Sequence, residues 1–299
     1  MKVAIVGATG ETGRSIVNGL ANSSTIFEIT ALVRPASKDK PAVQALKTKG
    51  VQVVPIDLQG PLNELVSVLD GVDIVISAIH YQSLADEIPL SNAAKAAGVG
   101  RYVPCFFATK EDILDHIQRL CLPYTVIDVG WWFQLTLPDV PSGRFSYALV
   151  APSNTIVAGG DTPCALTDVR DVGVYVAKII TDPRTLNKKV FAFTETKTQN
   201  QVFELVQKMS GEKPIGSELS AANLKQKVAE LMKSSAINQV RAQFEYWNSW
   251  GLRGDNTPEY AKYLGYLIAD ELYPGLKGQS LEAFIQDIID GKGEKVYSS

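Results

Sequence analysis

The run Gly7-Ala8-Thr9-Gly10-Glu11-Thr12-Gly13 follows the apolar segment Val3–Val6 directly and precedes a stretch of helical periodicity. In that setting the glycines have separate tasks. One turns the chain sharply, one lets a diphosphate approach bare backbone, and one lets helix and strand pack closely, while helix-end N–H groups receive the anion. The GxxGxxG spacing carries one more residue between its first two glycines than the commoner GxGxxG. No Gly-Lys-Ser/Thr follows, which excludes a Walker phosphate loop. A dinucleotide site is expected, lined by Gly7, Thr9, Gly10, Glu11, Thr12 and Gly13.

Which dinucleotide binds depends on the end of the second strand, ALVRPASKDK. An acidic residue there would bond the ribose and repel a 2′-phosphate, whereas Arg34, backed by Ser37, Lys38 and Lys40, makes a local anion site opposed only by Asp39. NADP(H) is therefore the expected cofactor. Ser77-Ala78-Ile79, at the end of the fourth strand, is the next expected contact, because small side chains let a ligand lie against backbone.

Hydride transfer needs a partner that manages a proton. The only Tyr-x-x-x-Lys spacing is Tyr273-Pro-Gly-Leu-Lys277, where Pro and Gly argue against the helix such a pair requires. Lys110 is the better candidate, since it follows RYVPCFFA and opens KEDILDHIQRL at the carboxyl edge of the sheet. Desolvated beside a cofactor, a lysine can exchange protons near neutrality. Lysine is also an ordinary surface residue, so spacing alone leaves both readings of Lys110 open. Val129-Gly130-Trp131-Trp132-Phe133 places two indoles and a phenyl ring after the sixth strand, suited to a flat aromatic substrate or to core packing. Phe244, Tyr246, Trp247 and Trp250 carry the same ambiguity.

These residues need a scaffold, and its pattern is plain in the first half. Strands are expected at Val3–Val6, Ile29–Val33, Val51–Ile56, Ile74–Ala78, Arg101–Phe106 and Tyr124–Val129. Helices are expected at about Thr12–Ala21, Pro41–Lys49, Leu62–Leu69, Leu84–Ala97 and Lys110–Leu120. Near-continuous apolar strands such as DIVISAI fit burial on both faces, so the fold class is α/β, a Rossmann-type doubly wound parallel sheet. A helix to about Thr181 and a strand at Lys189–Phe193 follow, and the chain is mostly helical from Gln199. We expect a cofactor domain over 1–150 and a smaller, mostly helical substrate-binding region over 151–299, with 164–196 packing back on the sheet.

The 299 residues carry 29 Lys+Arg against 32 Asp+Glu, a net charge of −3, and so present no global basic field for nucleic acid or an anionic membrane. Two His and three Cys, with no ligand spacing among them, argue against a metal site and against Cys–His catalysis. No run approaches the roughly 18 apolar residues of a membrane span, and no signal peptide opens the chain, so a cytoplasmic protein is expected.

Taken together, VGATGETG, ALVRPAS, DIVISAI, NAAKAAGVGRYVPC, LPYTVIDVGWW and TDVRDVGVYVAKIITDP resemble the NmrA-like and isoflavone reductase-like branch of the atypical short-chain dehydrogenases, over most of the first 200 residues. That branch includes the phenylcoumaran benzylic ether and pinoresinol–lariciresinol reductases. The resemblance implies NADPH on the glycine turn, an arginine at the 2′-phosphate and a lysine acid/base; Lys110, Ile113 and Ile117 reproduce the family's helix spacing. It also implies that Phe107, before that helix, touches the cofactor. Two segments depart from the family pattern. Phe106–Thr109 makes a shorter connection, and Val129–Phe133 is bulkier. The function implied is reduction of a small aromatic or conjugated oxygenated substrate by a monomer or homodimer. A non-catalytic NADP-sensing regulator and an NADPH quinone reductase are the alternatives.

Overall fold

The computed structural model describes residues 1–105, 110–233 and 239–296. The β-branched runs of the first third form five parallel strands: β1 Lys2–Val6, β2 Glu28–Val33, β3 Gln52–Pro55, β4 Ile74–Ser77 and β5 Arg101–Val103, in the spatial order β3-β2-β1-β4-β5. Val3 sits opposite both Ile29 and Ile74, and Ile5 opposite Ala31 and Ile76. Val3, Ala4 and Ile5 are at most 1% exposed, as a strand covered on both faces requires. Helices α1 Glu11–Ala21, α2 Pro41–Thr48, α3 Leu62–Val68, α4 Glu87–Ala96 and α5 Lys110–Arg119 alternate with these strands.

The sequence pattern extends β5 to Phe106, but pairing stops at Val103. Pro104 follows, and proline has no N–H to give a ladder. The sixth run forms β6 Thr125–Val129, which does not extend the five-stranded sheet. It lies in a separate sheet beside Lys188–Ala192, and a lone bridge from Tyr102 to Tyr124 links it to β5.

The chain divides into two compact units that are not sequential: Met1–Asp128 with Arg170–Val190, and Val129–Val169 with Phe191–Ser299. In the first unit the returning segment forms α6 Val172–Ile179, which crosses α1 at glycine. A Cβ on Gly19 would lie 2.1 Å from the Gly173 carbonyl carbon, and one on Gly173 would lie 1.8 Å from the Ser15 carbonyl oxygen. Ser15 seals the crossing, its Oγ donating to the Arg170 carbonyl at 2.8 Å and accepting the Gly173 N–H at 2.9 Å. Arg101, buried at the start of β5, anchors the same segment. Its guanidinium donates to Thr125 Oγ1 on β6 and to Thr185 Oγ1 and the Ile179 and Asp182 carbonyls.

The second unit has its own core, with Phe133, Phe145, Val157, Leu166, Leu224 and Phe284 buried together. Trp131–Trp132 pairs in parallel with Cys164–Thr167, which pairs antiparallel with Glu195–Lys197. The helix Gln199–Ser210 starts at a reciprocal Thr198/Gln201 cap and ends at left-handed Gly211. Among the described residues no helix is long and apolar enough to cross a membrane.

Candidate cofactor and substrate site

The three glycines of the first turn are glycine for different reasons. Gly7 has a φ of +81°, and a Cβ there would lie 2.2 Å from the Ala78 carbonyl oxygen, so the turn rests directly on the end of β4. A Cβ on Gly13 would lie 2.1 Å from the Gly7 carbonyl oxygen. Gly10 differs, because a Cβ there would meet nothing closer than the Gly7 oxygen at 3.5 Å, an ordinary contact. Gly10 and Thr9 are exposed. Nothing inside the fold requires a bare backbone at Gly10, and that bare face is what a diphosphate would fill.

Gly10 is also the N-cap of α1, and no side chain caps it. Its N–H donates to the Gly7 carbonyl at 3.0 Å, and the Arg14 N–H donates to the Gly10 carbonyl at 2.7 Å. Glu11 in this first turn opposes an incoming anion, and Arg14 pairs with its carboxylate. Thr12 is half-buried beside it.

Arg34 leaves β2 exposed and donates to Ser83 Oγ at 2.9 Å. The Pro35–Ser37 turn that follows is closed by the Ser37 N–H on the Arg34 carbonyl at 2.8 Å, and Lys38 stands exposed beyond it. Ser77, Ala78 and Ile79 lie at the carboxyl end of β4, where Ala78 is half-buried and its N–H donates to the Val6 carbonyl at 2.9 Å. Lys110 is the first residue of α5, with Ile113 and Ile117 buried on that helix. Its side chain, and Phe107 entirely, lie outside the described residues.

Behind this edge is a buried acid that the spacing of motifs did not single out. Glu87, in the first turn of α4, has no exposure; its Oε2 accepts the Tyr102 hydroxyl and its Oε1 accepts the Cys105 N–H at 2.9 Å. Cys105 Sγ in turn donates to the Ile79 carbonyl at 3.0 Å. Burial pushes the Glu87 carboxyl above the ordinary carboxylate range. Ser77, Tyr102 and the Cys105 N–H pull it down, and Asp86 pushes it up. The Ser77 hydroxyl is near enough to steady the charge, yet makes no hydrogen bond among the described residues. Burial, with Glu87 alongside, holds the Tyr102 hydroxyl well above its usual value, so it remains a donor.

The folded chain thus holds the Glu87 proton more tightly than the unfolded chain does. The stability this confers is full below the ordinary carboxylate value and is lost as pH rises through the raised one. Glu87→Gln removes that titration, so melting curves should show its Tm climbing relative to wild type as pH rises above the ordinary carboxylate range. A flat difference would mean that the carboxyl is not raised. Glu87 was legible only as a carboxylate at the start of α4, between the buried Leu84 of the preceding turn and Leu90.

In the second unit, Val129 is half-buried and Gly130 is buried. A Cβ on Gly130 would lie 2.8 Å from both the Ala165 carbonyl and Thr167 Oγ1. Trp131 is half-buried, with its ring 5.3 Å from Tyr246 and 5.8 Å from Trp250 and its Nε1 donating to the Leu135 carbonyl at 3.3 Å. Trp132, next along the strand, projects to the opposite face. Phe133 is fully buried and tilted on Phe284 at 5.7 Å, a core position. Trp250 is 5% exposed, and its Nε1 has no hydrogen-bond partner among the described residues. Gln134 clasps the buried Asp168, donating to Oδ1 at 2.9 Å and accepting the Val169 N–H at 3.2 Å.

The structure therefore brings the glycine turn and Ser77–Ile79 together in the first unit and gathers Trp131, Tyr246 and Trp250 in the second. Among the described residues no cluster of three His, Cys, Asp or Glu could hold a metal. Burial pushes the Cys164 thiol up to about 12, so it does not supply a thiolate.

The model of the NmrA-like family matches residues 1–120 and 105–285. Asnovolin J 5′,6′-dehydrogenase of Aspergillus novofumigatus (strain IBT 16806) is 47% identical, over 97% of this chain and 96% of that protein. An isoflavone reductase homolog of Arabidopsis thaliana, P3, is 27% identical over 95% and 97%. Among solved structures, the leucoanthocyanidin reductase–NADPH binary complex from Vitis vinifera superimposes with a TM-score of 0.82 at 19% identity, covering 97% of this chain and 100% of that one. An isoflavone reductase structure gives 0.79 at 23% identity, covering 96% and 98%. The chain belongs to the NmrA-like family, as an oxidoreductase of its isoflavone reductase-like branch.

Proposed function

We propose that the chain binds NADP(H) on the Gly7–Gly13 turn and uses it to move a hydride to or from a small conjugated, oxygenated ring substrate of the asnovolin kind, with Lys110 as the acid/base. The observation that carries this reading is the open Cβ position at Gly10, between two glycines that the fold itself requires. The diphosphate would lie against Gly10 and the uncapped start of α1, with Thr9 and Thr12 offering hydroxyls. Arg34 and Lys38 would take the 2′-phosphate; Arg34 leaves only a neutral serine contact to do so. Ser77, Ala78 and Ile79 would form the ledge under the nicotinamide.

When bound, the cofactor supplies or accepts the hydride at nicotinamide C4. Lys110 balances it with a proton, given to substrate in reduction and taken from it in dehydrogenation. The segment Val129–Phe133 is assigned to the substrate, with Trp131 and Trp132 offering aromatic surface while the buried Phe133 and the close-packed Gly130 hold that segment in place. The 47% identical relative bears a dehydrogenase name, which favours a reaction that also runs in the oxidative direction.

The test is a panel of cyclic enones with NADPH, and of asnovolin J with NADP+, followed at the absorbance of the reduced nicotinamide. Turnover with any member supports the reading. Tight cofactor binding with no turnover across the panel would leave a dinucleotide sensor in its place. Arg34→Ala is expected to weaken NADPH binding about 10–100-fold, the loss of charge-assisted hydrogen bonds, and to leave NADH binding unchanged. Fluorescence titration of both cofactors checks this, and an equal loss for both would remove the 2′-phosphate from Arg34.

A further inference from the structure

We infer that Glu87 is a positioning residue: its carboxyl, shared between the Tyr102 hydroxyl and the Cys105 N–H, fixes the point at which the chain leaves the sheet toward Lys110. The inference rests on the function proposed above and extends it to a residue with no exposure. Being fully buried, Glu87 cannot touch substrate, so its effect passes through what it holds.

What it holds is specific. Tyr102 lies in β5 and is itself completely buried, Glu87 opens α4, and Cys105 is the last described residue before 106–109. Cys105 is gripped twice, by its N–H on Glu87 Oε1 at 2.9 Å and by its Sγ on the Ile79 carbonyl at 3.0 Å. Because Ile79 ends the β4 ledge, the same contacts join that ledge to the exit of β5. Pro104 ends the β-ladder one residue earlier, and the Cys105 N–H donates to the Glu87 carboxyl rather than to a neighbouring strand.

A hydrocarbon side chain would fill this space without the cost of burying an acid, but it would remove the acceptor that the Cys105 N–H and the Tyr102 hydroxyl share. Glutamine would answer them. Its amide oxygen accepts from Cys105, and its NH2 can donate to the tyrosine oxygen. A residue that merely fills volume would show the reverse preference.

The experiment compares the wild type with Glu87→Gln, Glu87→Leu and Tyr102→Phe by site-resolved amide exchange at Cys105 and by the emission of bound NADPH, which reports the surroundings of the nicotinamide. Glu87→Gln should preserve both signals. Glu87→Leu should speed Cys105 exchange about 10–100-fold and return the emission toward that of free NADPH, while the dissociation constant, set at the glycine turn and Arg34, stays within about threefold. Tyr102→Phe, which frees one carboxyl oxygen and keeps the Cys105 bond, should fall between, and it carries the test if the leucine variant does not fold. Unchanged Cys105 exchange in the folded variants would overturn the inference, as would unchanged NADPH emission. If the wild type fails to bind NADPH, the proposed function falls first, and Cys105 exchange still shows whether the clamp exists.

Discussion

Lys110→Met is expected to lower turnover by about 10²–10⁴-fold, the usual contribution of a positioned acid/base, while NADPH binds as tightly as before. Methionine keeps the length and the apolar stem and removes only the ammonium. The position makes the lysine unusual. It is the first residue of α5, where the helix dipole disfavours a cation, and Glu111 and Asp112 follow in the same turn to complement that dipole. A cation so placed does not serve the helix. Removing it should leave stability unchanged or raise it by about 0.3–1 kcal/mol of relieved dipole repulsion, so the melting temperature should not fall. Loss of turnover with an intact melt and an intact cofactor titration therefore separates chemistry from folding. Unchanged turnover on a substrate from the panel would remove Lys110 from the reaction.

The second large effect is a contrast between neighbours. Gly13→Ala drives a Cβ to 2.1 Å from the Gly7 carbonyl and is expected to cost about 3 kcal/mol of stability. Gly10→Ala places a Cβ at an ordinary 3.5 Å from the Gly7 carbonyl oxygen on a backbone with φ −75°, which alanine adopts freely, so the variant should melt like the wild type. Its added methyl occupies the face assigned to the diphosphate. NADPH binding should weaken about 10–100-fold, as the backbone hydrogen bonds to the charged groups are held off. Thermal melts and NADPH titrations on both variants test this. A Gly10→Ala protein that binds NADPH normally would show that the turn does not cradle phosphate.

Much of this was legible because it is local. The strand, turn and helix that make the glycine site lie within Lys2–Ala21, and the apolar strand, the glycine spacing and the helical period each mark one of them. Arg34 follows β2 directly and Lys110 opens α5, so recognising the elements placed both residues at the carboxyl edge of the sheet. The limits were local too. Pro104 ends β5 three residues before the apolar run does, because hydrophobicity marks burial whereas pairing needs an N–H.

By itself the sequence determined that short parallel strands alternate with helices, that a glycine-rich turn follows the first strand, that a basic loop follows the second and that a lysine opens the helix after the fifth. Tertiary structure decided the rest: the separation of β6 from the five-stranded sheet, the return of Arg170–Val190 to the first unit through glycine-on-glycine contact, and the meeting of Glu87 with Tyr102 and Cys105. The physical reason is the same in each case. Side-chain periodicity records whether a residue is buried, but not which distant residue buries it. Gly10 shows the division most plainly: its place in the motif was written in the sequence, while only the folded chain shows that the space beside it is open.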